Sequence, residues 1–116
     1  MMTIGTIKEL LNAVVLCGAE HLDAPVLSAC GSDLMSDVLA YVKEQGVLLT
    51  GLVNPQVMRT AEMMDMRCIV FVRGKRPDDA MIQLAASHGM TVMNTELPMY
   101  MACGRLYAGG LTGDDR

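Results

Sequence analysis

The sequence predicts a single α/β domain, a layered sandwich in which helices flank a mostly parallel sheet of four to five strands. From Val26 onward, short apolar segments typical of strands alternate with amphipathic segments typical of helices. Such alternation produces a parallel sheet with covering helices. The length of 116 residues and the hydrophobic content of 52% fit one domain that buries its own core.

The first third of the chain is predicted to hold one helix and two short strands. Residues 6–12 form the helix, because Thr6 and Glu9 have the spacing of a capping box. Residues 14–17 form a short apolar run that predicts an edge strand, and residues 18–25 form a turn. Residues 26–30 are the second strand, which Gly31 ends.

The middle of the chain predicts a helix, a buried strand and a second helix. Ser32 and Asp33 can cap the first of these helices, and Gly46 ends it. Its apolar stripe consists of Leu34, Met35, Val38, Leu39 and Val42. Residues 47–50 are continuously apolar, which is typical of a strand buried on both faces. Asn54 and Pro55 then begin a helix as its cap and first residue, lined by Val57, Met58, Ala61 and Met64.

The last third predicts two more strands, each followed by a helix. Residues 68–72 are the strongest strand, residues 73–76 form a turn, and Pro77 begins a helix that Gly89 ends. The inward residues of that helix are Ile82, Ala85 and Ala86. Residues 90–93 form the last strand, and Thr95 and Pro98 begin a final helix that reaches about residue 107. The domain therefore spans residues 1–108, and residues 109–116 form a frayed tail.

Composition excludes several classes of protein. The formal net charge of −4, with only nine Lys and Arg residues, argues against a nucleic-acid partner. No run of eighteen apolar residues predicts a membrane span, and the first residues lack the layout of a signal peptide. We therefore expect a cytoplasmic protein.

Cysteine, histidine and methionine offer little chemistry. The four cysteines and two histidines lack the close spacing of metal or redox sites, so no metal and no cofactor are predicted. Cys30 and Cys68 are interpreted as small core residues. The twelve methionines predict a plastic core. The alternative is an adaptable partner surface formed by Met58, Met63, Met64 and Met66.

The predicted topology places a ligand site at one edge of the sheet. In an open parallel sheet, ligands bind beyond the carboxyl ends of the strands, where helix N-termini favour anions. We therefore expect a phosphate or carboxylate ligand in the loops that follow the strands. The candidate residues are Gly31, Ser32, Asp33, Thr50, Gly51, Asn54, Arg73, Gly74, Lys75, Asn94 and Thr95. The alternative is that Ser32, Asn54 and Thr95 are ordinary caps and that the basic run is a solvated turn.

Catalytic motifs are sparse, and no catalytic residue is predicted. Gly74 and Lys75 resemble the end of a phosphate-binding loop, but Ile69 stands where its first glycine is required. Asp33 and Asp37 lie four residues apart on one helix face, an arrangement that could serve acid–base chemistry or magnesium. Such a pair more often stabilises a helix N-terminus.

Several segments together resemble the DRTGG domain family over about residues 3–107. They are TIKEL at residues 6–10, ACGSDLMSDVLA at 29–40, LTG at 49–51 and CIVFVRGKRP at 68–77. The resemblance implies an α/β fold similar to the N-terminal domain of HPr kinase/phosphorylase. One departure is that Val72-Arg73-Gly74 stands where many members carry Thr-Gly-Gly. The kinase activity does not carry over, because its nucleotide loop belongs to another domain.

The resemblance also implies a regulatory role, since such domains accompany phosphate acetyltransferases and CBS-domain pyrophosphatases. Stand-alone members are small bacterial proteins, some encoded near iron-only hydrogenase subunits. We therefore expect a non-catalytic, ligand-sensing homodimer that binds a phosphorylated metabolite or nucleotide. The alternatives are an interaction module that docks on a larger metabolic or redox complex of the hydrogenase type, and a small phosphotransfer or hydrolytic enzyme that uses Asp33 and Asp37.

Overall fold

The computed structural model describes residues 2–41 and 45–112, apart from the side chain of Tyr41. In chain order the elements are β1 (Met2–Thr3), α1 (Ile4–Leu11), β2 (Val14–Cys17), β3 (Pro25–Val26), β4 (Ser28–Gly31), α2 (Met35–Tyr41), β5 (Gly46–Thr50), α3 (Pro55–Met63), β6 (Cys68–Phe71), α4 (Asp79–Ser87), β7 (Thr91–Asn94) and α5 (Met99–Ala108). Strands therefore alternate with helices from β4 onward.

The main sheet has five strands in the order β2-β7-β6-β5-β4. Its strands β4 to β7 are parallel, and β2 pairs antiparallel with β7 at one edge. The predicted fold class and the predicted edge strand are both confirmed. A separate two-stranded sheet joins β1 to β3, with Met2 opposite Val26.

Helices cover both faces of the main sheet. On one face, α1 and α5 contribute Ile7, Leu11 and Leu106 to a core with Val70 and Met93. On the other face, α2, α3 and α4 pack against Leu48, Ile69, Phe71 and Val92. Successive residues of β5 and β6 thus point into opposite cores, which explains why these strands are apolar throughout.

The N-cap of α1 lies three residues earlier than predicted. Thr3 is the cap, and its Oγ1 accepts a hydrogen bond from the Thr6 N–H at 3.2 Å, so the capping box at Thr6 is wrong. The N–H groups of Ile4 and Gly5 donate to the carbonyls of Ala24 and Leu22. These long-range hydrogen bonds satisfy the first free donors of the helix and fix where it begins.

Three further boundaries differ from the prediction. The segment 26–30 is divided, because Val26 pairs with β1 while Ser28 begins the main sheet. Gly46 begins β5 instead of ending α2, and the predicted helix residue Val42 lies outside the described residues. Asp78 caps α4, its Oδ1 accepting from the Met81 N–H at 2.9 Å, so the helix does not begin at Pro77.

The buried residues of α4 and α2 differ in part from those predicted. On α4, Met81 and Ala85 are buried, whereas the predicted inward residue Ala86 is exposed and Ile82 is half-buried. Met81 and Ala85 are four residues apart and share one face of the helix, whereas Ile82 and Ala86 are each displaced from that face by one residue. On α2, Met35 and Val38 are buried as predicted, but Leu34 and Leu39 are exposed.

The burial of the methionines and of the C-terminal segment agrees only in part with the predictions. Met58 and Met66 lie in the core, as the core interpretation predicts, while Met63 is 71% exposed. Leu111, predicted to lie in a frayed tail, is buried in the core with α1 and α5. Residues 113–116 of that tail lie outside the described residues. Over the described ranges, no helix is long and apolar enough to cross a membrane.

Candidate functional site

The carboxyl ends of β4, β5, β6 and β7 meet at one edge of the sheet, because these strands are parallel. Thr50, Phe71 and Asn94, the last residues of β5, β6 and β7, are paired in register across this edge. Neighbouring strands lie about 4.8 Å apart, so the loops that follow them emerge side by side. The predicted loops therefore lie on a common edge.

Asp33 links two of these loops. Its Oδ1 accepts hydrogen bonds from the Thr50 hydroxyl at 3.0 Å and from the Gly51 N–H at 2.7 Å. Its Oδ2 lies 3.6 Å from Arg73 Nη2. The cap predicted at Asp33 is thus replaced by a long-range contact, and we call Asp33, Thr50, Gly51 and Arg73 the carboxyl-edge cluster.

Gly51 provides the space in which the Arg73 side chain lies. A Cβ placed on Gly51 would overlap the Arg73 guanidinium group. The absence of a side chain at Gly51 therefore lets the guanidinium group cross the turn and reach Asp33. Thr50, which is fully buried, fixes this turn by accepting the Leu52 N–H at 3.1 Å.

The backbone of Arg73 is strained. Its φ is 60° and that of Gly74 is 70°, both in the left-handed region that favours glycine. Two hydrogen bonds hold the turn in place, from the N–H of Arg73 to the Leu97 carbonyl at 2.9 Å and from the N–H of Gly74 to the Thr95 carbonyl at 2.8 Å. The Thr-Gly-Gly sequence of the resembled family would place glycine at both positions, so the backbone suits that sequence and Arg73 adds a cation at a conformational cost.

Charges of both signs surround the carboxyl-edge cluster. The side chains of Asp33 and Arg73 are about half exposed. Lys75 and Arg76 are exposed in the same turn, and within the described part of the chain neither side chain forms an ion pair. The Glu96 carboxylate faces Gly74, since a Cβ there would lie 2.8 Å from its Oε1. Glu96 was not predicted, and its position directly after Thr95 was the available signal.

Asn94 carries an unsatisfied polar atom at this edge. It is 8% exposed, and its Oδ1 has no hydrogen-bond partner among the described residues. Leaving a buried carbonyl unpaired costs about 1–3 kcal/mol. Asn94 lies two strands from Thr50 in the same row of the sheet, with Phe71 between them.

Several predicted site residues have contacts within the fold instead. Gly31 lies against α5, because a Cβ there would be 2.6 Å from Cys103 Sγ. Asn54 caps α3 as predicted, its Oδ1 accepting from the Gln56 N–H at 2.8 Å. Ser32 Oγ accepts the Leu34 N–H at 3.0 Å. Thr95 does not cap α5, since its hydroxyl donates to the Leu11 carbonyl at 2.7 Å and Pro98 is at the cap position.

The cysteine thiols and the metal-ligating side chains bear on whether the protein has further chemistry. Burial raises the pKa of all four cysteine thiols, most strongly that of the fully buried Cys68. These thiols are therefore protonated near neutral pH, which disfavours thiolate chemistry. Within residues 2–41 and 45–112, no cluster of three or more His, Cys, Asp or Glu side chains could hold a metal ion.

A second distinctive surface lies on the exposed face of α5. Tyr100, Met101 and Tyr107 are 86%, 45% and 65% exposed on this helix. Together with Gly104 they line a shallow groove of about 550 Å³. Nothing lies within 4 Å of a Cβ placed on Gly104, so the middle of the groove is open.

A solved structure has a similar fold. It is the crystal structure of the CBS and DRTGG domains of the regulatory region of Clostridium perfringens pyrophosphatase, complexed with its activator diadenosine tetraphosphate. The TM-score is 0.72 at 16% sequence identity, and the match covers 94% of this chain and 50% of that chain. No protein-family model and no curated protein matches the sequence. The likeness establishes the α/β fold, and the chain spans half the length of the pyrophosphatase region.

Proposed function

We propose that this protein is a non-catalytic regulatory domain that binds a nucleotide or another phosphorylated metabolite at the carboxyl edge of its sheet. The observation that carries this proposal is Arg73, a cation held at that edge in a strained backbone conformation. Strain of this kind costs about 1–3 kcal/mol and is concentrated at functional sites. Glycine at this position would avoid the strain that arginine carries.

The similar fold supports the ligand class. The pyrophosphatase region with this fold is regulatory, and its crystal structure contains a dinucleotide with four phosphates. The present chain covers half of that region, so a nucleotide ligand for this chain is an inference. The basic turn from Arg73 to Arg76 supplies the charge that a phosphate ligand requires.

The unsatisfied Asn94 carbonyl supports a ligand with donor groups beside its phosphates. A nucleobase amino group or a ribose hydroxyl could donate to Asn94 Oδ1. Binding would then offset the cost of burying this atom without a partner.

A thermal-shift titration with ATP and with inorganic phosphate tests the proposal. A ligand that binds only the native state raises the melting temperature by mass action. We expect ATP to stabilise the wild type and Arg73→Ala to reduce the shift strongly. Arg67→Ala is the matched control, because Arg67 precedes β6 at the opposite edge of the sheet. Equal shifts for the two variants, or no shift across a panel of nucleotides and sugar phosphates, would contradict the proposal.

The exposed face of α5 favours a second function, that of an interaction module. A contiguous apolar patch of this kind is typical of a protein interface. We propose a second copy of this chain as the partner, which gives the expected homodimer. Two copies each carry a net charge of −4 and repel one another. They can approach through this face, where Arg105 is the one charged residue in the lining of the groove and donates to the Leu10 carbonyl.

Sedimentation velocity at micromolar concentrations tests the dimer. We expect Tyr100→Ser combined with Tyr107→Ser to shift a dimer to a monomer. Met63→Ser is the control, since Met63 is equally exposed but lies on α3. A monomeric wild type would exclude the dimer and favour docking on a larger enzyme complex. A dimer that persists in the double variant would exclude α5 as its interface.

A further inference from the structure

We propose that Asp33 is an internal competitor for Arg73. Its carboxylate holds the Arg73 guanidinium group until a ligand with several phosphates draws that group away. This inference deepens the proposed function and depends on it. It assigns Asp33 a regulatory contact instead of a direct contact with ligand. It also narrows the ligand class to oligophosphates.

The position of the Asp33 carboxylate is fixed independently of Arg73. Its Oδ1 accepts from the Thr50 hydroxyl and from the Gly51 N–H, and Thr50 is fully buried. The two hydrogen bonds leave Oδ2 directed toward the guanidinium group of Arg73. The carboxylate is therefore a rigid acceptor that resembles a bound anion.

The Arg73 side of this contact is held more weakly than the Asp33 side. The Nη2–Oδ2 distance of 3.6 Å exceeds the 2.7–2.9 Å that is usual for a charge-assisted hydrogen bond. The Arg73 side chain is 49% exposed and lies over Gly51, where there is no side chain. The guanidinium group can consequently leave Asp33 and turn to a ligand without disturbing the core.

Exchanging one anion for another of equal charge gains little at an exposed site. A single phosphate or carboxylate would replace Asp33 beside Arg73 and then repel the nearby Asp33 carboxylate. Further phosphates would reach Lys75 and Arg76, which form no ion pairs within the described ranges. These added contacts supply the binding free energy that favours separation of Arg73 from Asp33, so the site selects ligands with several consecutive phosphates.

The variant Asp33→Asn isolates this role. An asparagine Oδ1 can still accept from Thr50 and Gly51, while the amide group removes the negative charge that faces Arg73. A half-exposed ion pair is worth little, so the gain is small but measurable. We expect tripolyphosphate to bind Asp33→Asn about two- to five-fold more tightly than the wild type, measured by isothermal titration calorimetry.

Matched controls separate this effect from general electrostatics. Asp37→Asn removes the same charge four residues further along the chain, at an exposed position of α2, and should change affinity by less than two-fold. In an Arg73→Ala background, Asp33→Asn should give no gain. Replacing Lys75 and Arg76 together by alanine should reduce tripolyphosphate affinity to that of inorganic phosphate.

The outcomes distinguish this inference from the proposed function. If tripolyphosphate binds the wild type and Arg73→Ala abolishes binding, the proposed site stands. In that case, equal affinities of Asp33→Asn and Asp37→Asn overturn the competitor role, and weaker binding by Asp33→Asn makes Asp33 a direct ligand contact. If neither the wild type nor Asp33→Asn binds tripolyphosphate, the competitor role is overturned, and the thermal-shift panel of nucleotides and sugar phosphates decides the proposed function separately. A urea-unfolding double-mutant cycle between Asp33 and Arg73 tests the contact without ligand, and zero coupling refutes it.

Discussion

Replacing Arg73 with glycine is expected to leave the stability of the domain almost unchanged, whereas alanine at the same position is expected to lower it. Arg73 has a φ of 60°. In this left-handed region the Cβ of an L-residue crowds the following carbonyl oxygen, which costs about 1–2 kcal/mol. Glycine has no Cβ and recovers this energy, while alanine keeps the strain.

Two opposing contributions set the net effect of the glycine variant. Glycine has more freedom in the unfolded chain, which costs about 0.5–1 kcal/mol. The lost ion pair with Asp33 joins side chains that are 49% and 47% exposed, so it contributes about 0.2–1 kcal/mol. Arg73→Gly should therefore lie within about 1 kcal/mol of the wild type. Arg73→Ala should be about 0.5 kcal/mol less stable than the wild type.

Urea unfolding followed by far-ultraviolet circular dichroism measures both variants. Both keep the main-chain hydrogen bond from residue 73 to the Leu97 carbonyl, so their comparison isolates the Cβ. We expect the glycine variant to be more stable than the alanine variant by up to about 1.5 kcal/mol at equal m-values. A glycine variant that is less stable than the alanine variant would refute the strained backbone at Arg73.

Three further predictions concern the same edge and the core. Gly51→Ala should lower stability by up to about 1 kcal/mol by expelling the Arg73 guanidinium group, yet should be neutral in an Arg73→Ala background; equal losses in both backgrounds would contradict the overlap. Thr50→Val should cost about 1–3 kcal/mol because the half-exposed Asp33 carboxylate and the Leu52 N–H both lose the buried Thr50 hydroxyl, whereas Thr50→Ser should retain most stability in urea unfolding. Burial raises the pKa of the Cys68 thiol above its value in the unfolded chain. Above about pH 8.5 the unfolded thiol ionises while the folded one stays protonated, so the free energy of unfolding falls as the pH rises. Iodoacetamide should therefore label the three half-buried thiols before Cys68, and early labelling of Cys68 by mass spectrometry would contradict its burial.

The central strands β5 and β6 were predictable because a strand that is buried on both faces has an almost continuously apolar sequence. Residues 47–50 and 68–71 are continuously apolar and form β5 and β6. The cap at Asn54 was predictable because it depends on a contact between residues two positions apart in the sequence. Local patterns therefore sufficed for these elements.

Long-range contacts decided two of the features that the sequence pattern missed. The choice of Thr3 over Thr6 as cap depends on carbonyls of Leu22 and Ala24 that accept the first N–H groups of α1. Residues 26–30 form one short, largely apolar run, which predicts a single strand, but Val26 pairs with β1. Neither partner is adjacent in sequence, so periodicity could not reveal it.

The candidate site was predictable in its location but not in its contacts. Parallel topology alone places the loops after β4 to β7 on one edge. The sequence favours Asp33 as a helix cap, and only the fold brings it to Thr50 and Arg73. The left-handed backbone of Arg73 could not be read from an arginine, which rarely adopts it.

A titration of the isotopically labelled domain with ATP, followed by two-dimensional amide correlation spectra, most directly addresses ligand binding at the carboxyl edge. We expect saturable shifts concentrated at Asp33, Thr50, Gly51, Arg73 and Gly74, with α5 unaffected. Saturable shifts confined to α5, or spectra that do not change at millimolar ATP, would show that the carboxyl-edge cluster does not bind nucleotides.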